Sequence, residues 1–398
     1  MNKKVLLVLA ATIYQIYVIK TAKRLGYKVI TVDNVPTNPG HALADVSYNV
    51  DTTKRDEVLE IARKEDIMGI IAACTDVALP TAAYVAAKMN LAGSPETSVD
   101  IACDKIAFRR WLNEQGLPAP QAFTVNCDYA PDKDIFNEHW WIIKPDRSSG
   151  SKGIFIIRSE KEYYDRIQQT LSFSPTLTGI LEQFIEGIQI TCEGVIAGGK
   201  IKKAWILDRQ TAQPPYVVTV GHHVPSRLPT DVQINFIIAL EDIWRRLGIT
   251  DAIFDCDAII AEHSFYIIEL SPRVGGNSIS TLLMEAADFD IVEYAVRQAC
   301  GETETIGDYE FNGIKTMAII LLGVQEQGRL FYSSSEFEML KREPWVMFVS
   351  IDKALGELVE PFINGRHRIG EALIMGSDRD DLDAKTVELR DRLNLQGQ

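Results

Sequence analysis

Phe254-Asp255-Cys256-Asp257-Ala258-Ile259-Ile260 and Phe265-Tyr266-Ile267-Ile268-Glu269-Leu270-Ser271-Pro272-Arg273 are two β-type runs separated by Ala261-Glu262-His263-Ser264. Apolar and acidic residues on either side of a short polar turn predict an antiparallel hairpin. With His263 at its centre, Asp257 faces Glu269 and Asp255 faces Ser271, and opposed residues share one face of the ladder. Directly opposed side chains have Cβ atoms about 5 Å apart, so two carboxylates there repel one another unless neutralised. A hard divalent cation, bridged to phosphate oxygens, is the natural neutraliser. A register shifted by one residue would instead leave one carboxylate in solvent. Arg273 follows directly and would stand beside the metal face, a place for a donor to charge developing on a transferred phosphoryl group. Its alternative is a structural arginine paired with an acid, with Gly275 and Gly276 forming a turn before a helix.

A second constellation lies upstream. An apolar strand, Trp140–Lys144, runs into Pro145-Asp146-Arg147-Ser148-Ser149-Gly150-Ser151-Lys152-Gly153 and leaves along Ile154–Ile157. Ser148, Ser149, Gly150, Ser151, Lys152 and Gly153 supply flexible backbone, hydroxyls and one cation, a set that can fold its N–H groups over phosphates as a lid. Lys144 would aim a fixed charge at the same anion. The alternative is an ordinary hairpin with a polar tip. It is not a Walker A loop, because the GK[ST] ending is absent.

The rest of the chain sets limits on class. At 398 residues, with roughly 150 per domain, it should hold two or three domains. Its 41 Lys+Arg against 55 Asp+Glu give a charge of −14, a poor match for nucleic acid or anionic membranes. No apolar run of about 20 residues suggests a membrane span. Lys3 and Lys4 before Val5–Ala11 resemble a secretory signal, but a strand (Val5–Leu9), a helix (Ile13–Leu25), a Gly26 stop and a strand (Lys28–Val32) account better for that segment. Six scattered cysteines without a CxxC pair indicate buried thiols in a reducing cytoplasm. Up to about residue 100 the β-α-β-α order predicts a parallel sheet covered on both faces. Its first turn, Leu9-Ala10-Ala11-Thr12, lacks the GxGxxG that admits a dinucleotide pyrophosphate.

These residues resemble the ATP-grasp superfamily of carboxylate–amine ligases, in the branch holding biotin carboxylase, phosphoribosylglycinamide synthetase and the carbamoyl-phosphate synthetase large chain. The resemblance also rests on the Asp104-Lys105 helix start, Ile143-Lys144-Pro145, and Leu181-Glu182-Gln183-Phe184-Ile185-Glu186-Gly187. It implies an ATP-grasp fold of α/β and α+β class: an N-terminal parallel α/β domain (1–100), an ATP-grasp domain (101–305) with a mobile lid at about 117–184, and a small C-terminal α+β domain (306–398). It assigns Lys105 and Lys144, with the lid loop, to the phosphates of ATP. Glu182, Gln183, Phe184 and Ile185 would read adenine, and Gln189 stands where many members place an acid on the ribose. Asp257 and Glu269 would hold Mg2+ or Mn2+, with Ser271 in place of the usual asparagine ligand, and Arg273 would stabilise the acyl phosphate.

In this family the stretch holding Asp208-Arg209 and Gly221-His222-His223 faces the acceptor site. Arg209 would bind a substrate carboxylate, and His222 or His223 would accept the amine proton; solvated histidines and a surface ion pair are the alternatives. The implied activity is ATP- and Mg-dependent coupling of a small carboxylic acid to an amine through an acyl phosphate, with small-molecule partners and a homodimer as the admissible assembly. Two alternatives stand beside it: a purine-pathway or bicarbonate-activating enzyme, and an ATP-binding regulatory protein without turnover.

Overall fold

The computed structural model of the protein describes residues 4–213, 216–261, 264–302, 306–307 and 313–398; His263, the assumed turn centre, lies outside them. Strands β1 (Val5–Leu9), β2 (Lys28–Val32), β3 (Val46–Tyr48) and β4 (Gly69–Ile71) form the expected parallel sheet, in the order β3-β2-β1-β4. Every residue of β1 is buried, as a strand covered on both faces requires. Helices α1 (Ile16–Arg24), α2 (Arg55–Lys64) and α3 (Leu79–Met89) follow the strands. A further helix, α4 (Glu96–Cys103), leads directly into α5 (Lys105–Glu114). Asp104 separates the two and caps α5, accepting from the N–H groups of Ile106 and Ala107 at 3.0 Å. That cap fixes where Lys105 leaves the chain.

The segment expected to form the lid is a four-stranded antiparallel sheet. Its strands β5 (Ala122–Val125), β6 (Trp141–Pro145), β7 (Phe155–Ile157) and β8 (Gly179–Gln183) pair in the order β5-β8-β6-β7. Helices α6 (Ile135–Glu138) and α7 (Glu160–Leu171) accompany it, and Trp141, Ile143, Tyr163 and Leu181 fill its core. Asp146, just past β6, accepts hydroxyl hydrogen bonds from Ser174, Thr176 and Thr178 at 2.6–2.9 Å. The stem of the lid loop is thereby tied to the start of β8.

The remaining strands are β9 (Ile188–Ala197), β10 (Lys200–Thr211), β11 (Thr219–Val224), β12 (Ala252–Ala261), β13 (Ser264–Ser271), β14 (Met317–Leu322), β15 (Gly328–Phe331), β16 (Val346–Ile351), β17 (Leu358–Val359), β18 (Gly370–Met375) and β19 (Gln396–Gly397). Eight of them form one antiparallel sheet, β13-β12-β9-β10-β11-β14-β18-β16. The C-terminal strands thus extend the central sheet, while β17-β15-β19 form a small sheet of their own. Helices α8 (Thr230–Leu247), α9 (Ile279–Ala287), α10 (Ile291–Ala299), α11 (Ser334–Leu340) and α12 (Arg379–Leu393) complete the chain. Because side chains alternate along a strand, the sheet has two distinct faces. On one, Cys192, Ile206 and Cys256 pack under Phe236, Leu240 and Trp244 of α8, and Ala318 and Ile374 under Leu382 and Leu389 of α12. On the other, Val195, Leu207 and Ile319 pack toward Leu6, Val8 and Val18 of the N-terminal unit. The polar stretch of that second face forms the floor of a cavity.

Candidate active site

Asp257 is paired with Glu269, and Asp255 with Ser271, as the alternation predicts. The route to that register differs from the expected one. Ala261 pairs with Ser264, which sets the turn centre half a residue earlier, and the shift is recovered where Asp257 pairs with Glu269 but Ala258 pairs with Ile267. Ile268 is therefore the extra residue of a β-bulge, a device that re-aims side chains beside functional sites. The buried guanidinium of Arg109, on α5, satisfies this irregular backbone by donating to the carbonyls of Ile267 at 2.9 Å and Ile268 at 2.6 Å. Its Nε donates to Glu182 Oε1 at 2.6 Å, so one arginine joins the acidic hairpin to the last strand of the lid. The reading of the chain missed Arg109, because Arg109-Arg110 on an amphipathic helix looks like a solvated pair.

The cavity has a volume of about 510 Å³ and lies between the lid, the central sheet and the N-terminal unit. Ile142 and Ile154 of the lid and Ile259 and Ile268 of the sheet give it apolar walls next to Gln183, Phe184 and Ile185. Lys105, Lys144, Lys152, Asp257 and Glu269 line it, as do Ser149, Gly150, Ser151, Glu182 and Gln189; Gly153 does not. Lys105 donates to Glu269 Oε1 at 3.2 Å and to the carbonyl of Ser148 at 3.1 Å. Burial opposes its charge, but Glu269 and Asp76 outweigh burial and raise its pKa. Lys144 donates to Glu182 Oε2 at 2.5 Å. Burial pulls Lys144 below the ordinary lysine value against the attraction of Glu182. Glu182 itself is lowered to about 2, because Arg109 and Lys144 together outweigh its burial. Both its oxygens are occupied by these cations. Asp257 accepts from Thr191 Oγ1 at 2.5 Å and lies 3.4 Å from Arg209.

Arg273 lines the cavity and is paired. Its Nε and Nη2 donate to Asp76 at 2.9 and 3.0 Å, and Nη1 donates to Asp255. Asp76, in the loop after β4, was not singled out from the sequence, yet it fixes the arginine from the parallel-sheet part of the chain and lines the cavity beside it. Burial and Asp257 raise Asp255 to about 7, Arg273 pulling the other way. Behind it, Glu193 is register partner to Asp255 and accepts the Gly275 N–H at 2.7 Å. A Cβ on Gly275 would lie 2.2 Å from the Glu193 carboxylate, so only glycine fits there.

Other expected residues fall elsewhere. Ser271 is buried, does not line the cavity, and donates its hydroxyl to Asp76 at 2.7 Å. In this arrangement its hydroxyl supports Asp76. His223 points to α12, with Nδ1 3.2 Å from Asp383 and Nε2 3.3 Å from Thr386. Burial lowers it to about 4. Neighbours on a strand face opposite ways, so His222 takes the cavity side of the sheet, where it is buried with Nε2 3.2 Å from Thr191. Arg209 does line the cavity; its Nε donates to Thr219 at 2.9 Å and its Nη1 lies 3.5 Å from Gln189 Oε1.

The donor set fits one magnesium ion. Mg2+ is commonly held by one or two carboxylates together with substrate phosphates, and Asp257 and Glu269 are two opposed carboxylates beside two lysines. Among the described residues no cluster of three or more His, Cys, Asp or Glu makes an all-protein cage. Fold and site together define a cleft lined by two opposed carboxylates and several cations, a donor set suited to a phosphate group and one divalent ion.

Comparison with known proteins narrows this. Residues 102–277 match the family model of the ATP-grasp domain. L-amino acid ligase from Bacillus licheniformis superposes with a TM-score of 0.81 at 18% identity, over 100% of this chain and 98% of that one. Phosphoribosylglycinamide synthetase from Anaerococcus prevotii gives 0.74 at 20% identity, over 99% and 100%. The biotin carboxylase domain of the Hydrogenobacter thermophilus 2-oxoglutarate carboxylase, solved with MgADP and bicarbonate, gives 0.74 at 16% identity, over 98% and 89%.

Proposed function

We propose that the protein is an ADP-forming ligase that activates a small carboxylic acid with MgATP and couples it to an amine. The observation that carries this is the opposed Asp257–Glu269 pair in the cavity that Lys105 and Lys144 also line. Gln183–Ile185 and the apolar walls beside them would hold adenine, and Lys105, Lys144 and the lid loop would face the phosphates. Magnesium, held by Asp257 and Glu269, would neutralise phosphate charge. A carboxylate oxygen of the acid then forms a bond to the γ-phosphorus while the bond to the ADP oxygen breaks, its electron pair leaving with ADP. The guanidinium of Arg273, held rigid by Asp76, donates to the charge that develops. The amine next attacks the acyl carbon, phosphate departs with the C–O bonding pair, and the amine loses a proton to give the amide. Water must be excluded between the two steps, which is the work of the lid.

The acid and amine are amino acids in this proposal. Support comes from the L-amino acid ligase, whose TM-score exceeds those of the other two structures compared. A homodimer in the cytoplasm completes it: the Hydrogenobacter domain is described as a dimer. Among the described residues no helix is long and apolar enough to cross a membrane.

The test is release of ADP and phosphate from MgATP with pairs of L-amino acids, combined with product mass. Equal release of both, with a product of the summed masses less one water, is expected. ATP binding without release by any pair would favour a regulatory protein instead.

A further inference from the structure

Six lysines and arginines line the cavity, and four are committed to carboxylates: Lys105 to Glu269, Lys144 to Glu182, Arg209 to Asp257 and Arg273 to Asp76. The other two are Lys152, on the lid loop, and Arg366, on the 3-10 turn Gly365–His367 of the C-terminal segment. Among the described residues neither Lys152 nor Arg366 has a carboxylate partner for its side-chain charge. The segments that carry them are joined by backbone. Gly365 N–H donates to the Gly150 carbonyl at 2.9 Å, and the Tyr14 hydroxyl reaches the Gly365 carbonyl at 3.5 Å. Gly150 has φ +70°, and a Cβ there would lie 3.9 Å from Gly365 Cα. Lid loop, N-terminal unit and C-terminal segment therefore meet at one point, beside two cations that have no carboxylate partner among the described residues. Burial and the nearby Arg366 charge both hold Lys152 below the ordinary lysine value. Two like charges drawn together in a half-enclosed site are stabilised by an anion between them.

We propose that Lys152 and Arg366 form an oxyanion subsite, closed by the Gly365-to-Gly150 latch, that takes the carboxylate of the acid substrate. This rests on the ligase reading and names its acid site. The carboxylate is thereby held beside the phosphates faced by Lys105 and Lys144, the orientation that attack on the γ-phosphorus requires. The C-terminal segment, outside the matched ATP-grasp domain, then carries acid recognition. Lid closure over an empty subsite is opposed by cation repulsion, so closing is linked to the acid being present.

The experiment uses the full chain as wild type, Arg366→Ala, Arg366→Lys and Gly365→Pro. Gly365 is the first residue of a 3-10 turn, a position whose backbone suits proline; the substitution removes the latching N–H and sets Cδ against the Gly150 carbonyl, so the latch opens. Calorimetry first measures MgADP, then an equimolar mixture of L-amino acids in saturating MgADP, then the non-hydrolysable analogue AMPPNP with magnesium. MgADP affinity within twofold in all four proteins is expected. The amino-acid response should fall at least tenfold in Arg366→Ala, recover in part in Arg366→Lys, and weaken in Gly365→Pro. An unchanged response in Arg366→Ala overturns the subsite. So does a loss confined to AMPPNP, because the anion would then be the γ-phosphate, and so does a wild type with no amino-acid response. Absence of ADP release with every acid–amine pair, alongside an Arg366-dependent response, would retire the ligase reading while leaving the subsite standing.

Discussion

Replacing Glu182 with glutamine should destabilise the protein severely at neutral pH and only mildly in acid. The carboxylate is 1% exposed, with Arg109 Nε at 2.6 Å and Lys144 Nζ at 2.5 Å on its two oxygens. Its pKa, about 2 against the ordinary 4.5, reflects the margin by which the two cations outweigh the burial that opposes them. At about 1.4 kcal/mol per pH unit, that difference corresponds to roughly 3 kcal/mol. Removal of one partner from a buried ion pair independently costs about 3–5 kcal/mol. The two routes agree, so a loss of about 3–4 kcal/mol is expected. The sign follows from a depressed folded value: the contribution is fully present above about pH 4.5 and is lost as pH falls through about 2. Denaturant unfolding of both proteins at pH 7 and at several acidic values measures it. A variant within about 0.5 kcal/mol of wild type at pH 7, or a gap that does not narrow on acidification, would refute the ion-triad reasoning.

Lys144→Ala should weaken MgATP binding about tenfold or more, close to 1.4 kcal/mol, by calorimetry; unchanged affinity would count against its role at the phosphates. Arg273→Lys loses the two-pronged hold on Asp76, so kcat should fall about 100-fold or more with nucleotide affinity nearly unchanged, as steady-state kinetics would show. His223→Gln should leave kcat within about twofold while lowering the melting temperature, since His223 packs on α12. Its folded pKa of about 4 against 6.5 means the neutral ring's contribution is present above about pH 6.5 and lost as pH falls toward 4, which melting curves across that range would report.

The hairpin was legible because period-two alternation carries facing information, and the inferred pairing of Asp257 with Glu269 is the observed one. That agreement had help: a bulge at Ile268, invisible in the residue pattern, offset a misplaced turn centre. The parallel N-terminal sheet was legible from buried apolar runs, but Val46–Tyr48 was too short to show a period. Helix Glu96–Cys103 was missed because its end coincides with the Asp104 cap of the next helix. Asp76 and Arg109 were hidden for a different reason. Each acts through partners 197 and 73 residues away in sequence, and no local pattern encodes such contacts. His222 and His223 were readable to one step further, since adjacent strand residues point to opposite faces and only one of them can look toward a site on one face.

The most direct test of the account is binding of Mn2+ in the presence of ADP, followed by electron paramagnetic resonance, in wild type and in the Asp257→Asn/Glu269→Gln double variant. The account predicts one Mn2+ held with nucleotide in the wild type and a loss of about 100-fold or more in the variant, with circular dichroism unchanged. Equal Mn2+·ADP affinity in the two proteins would contradict it.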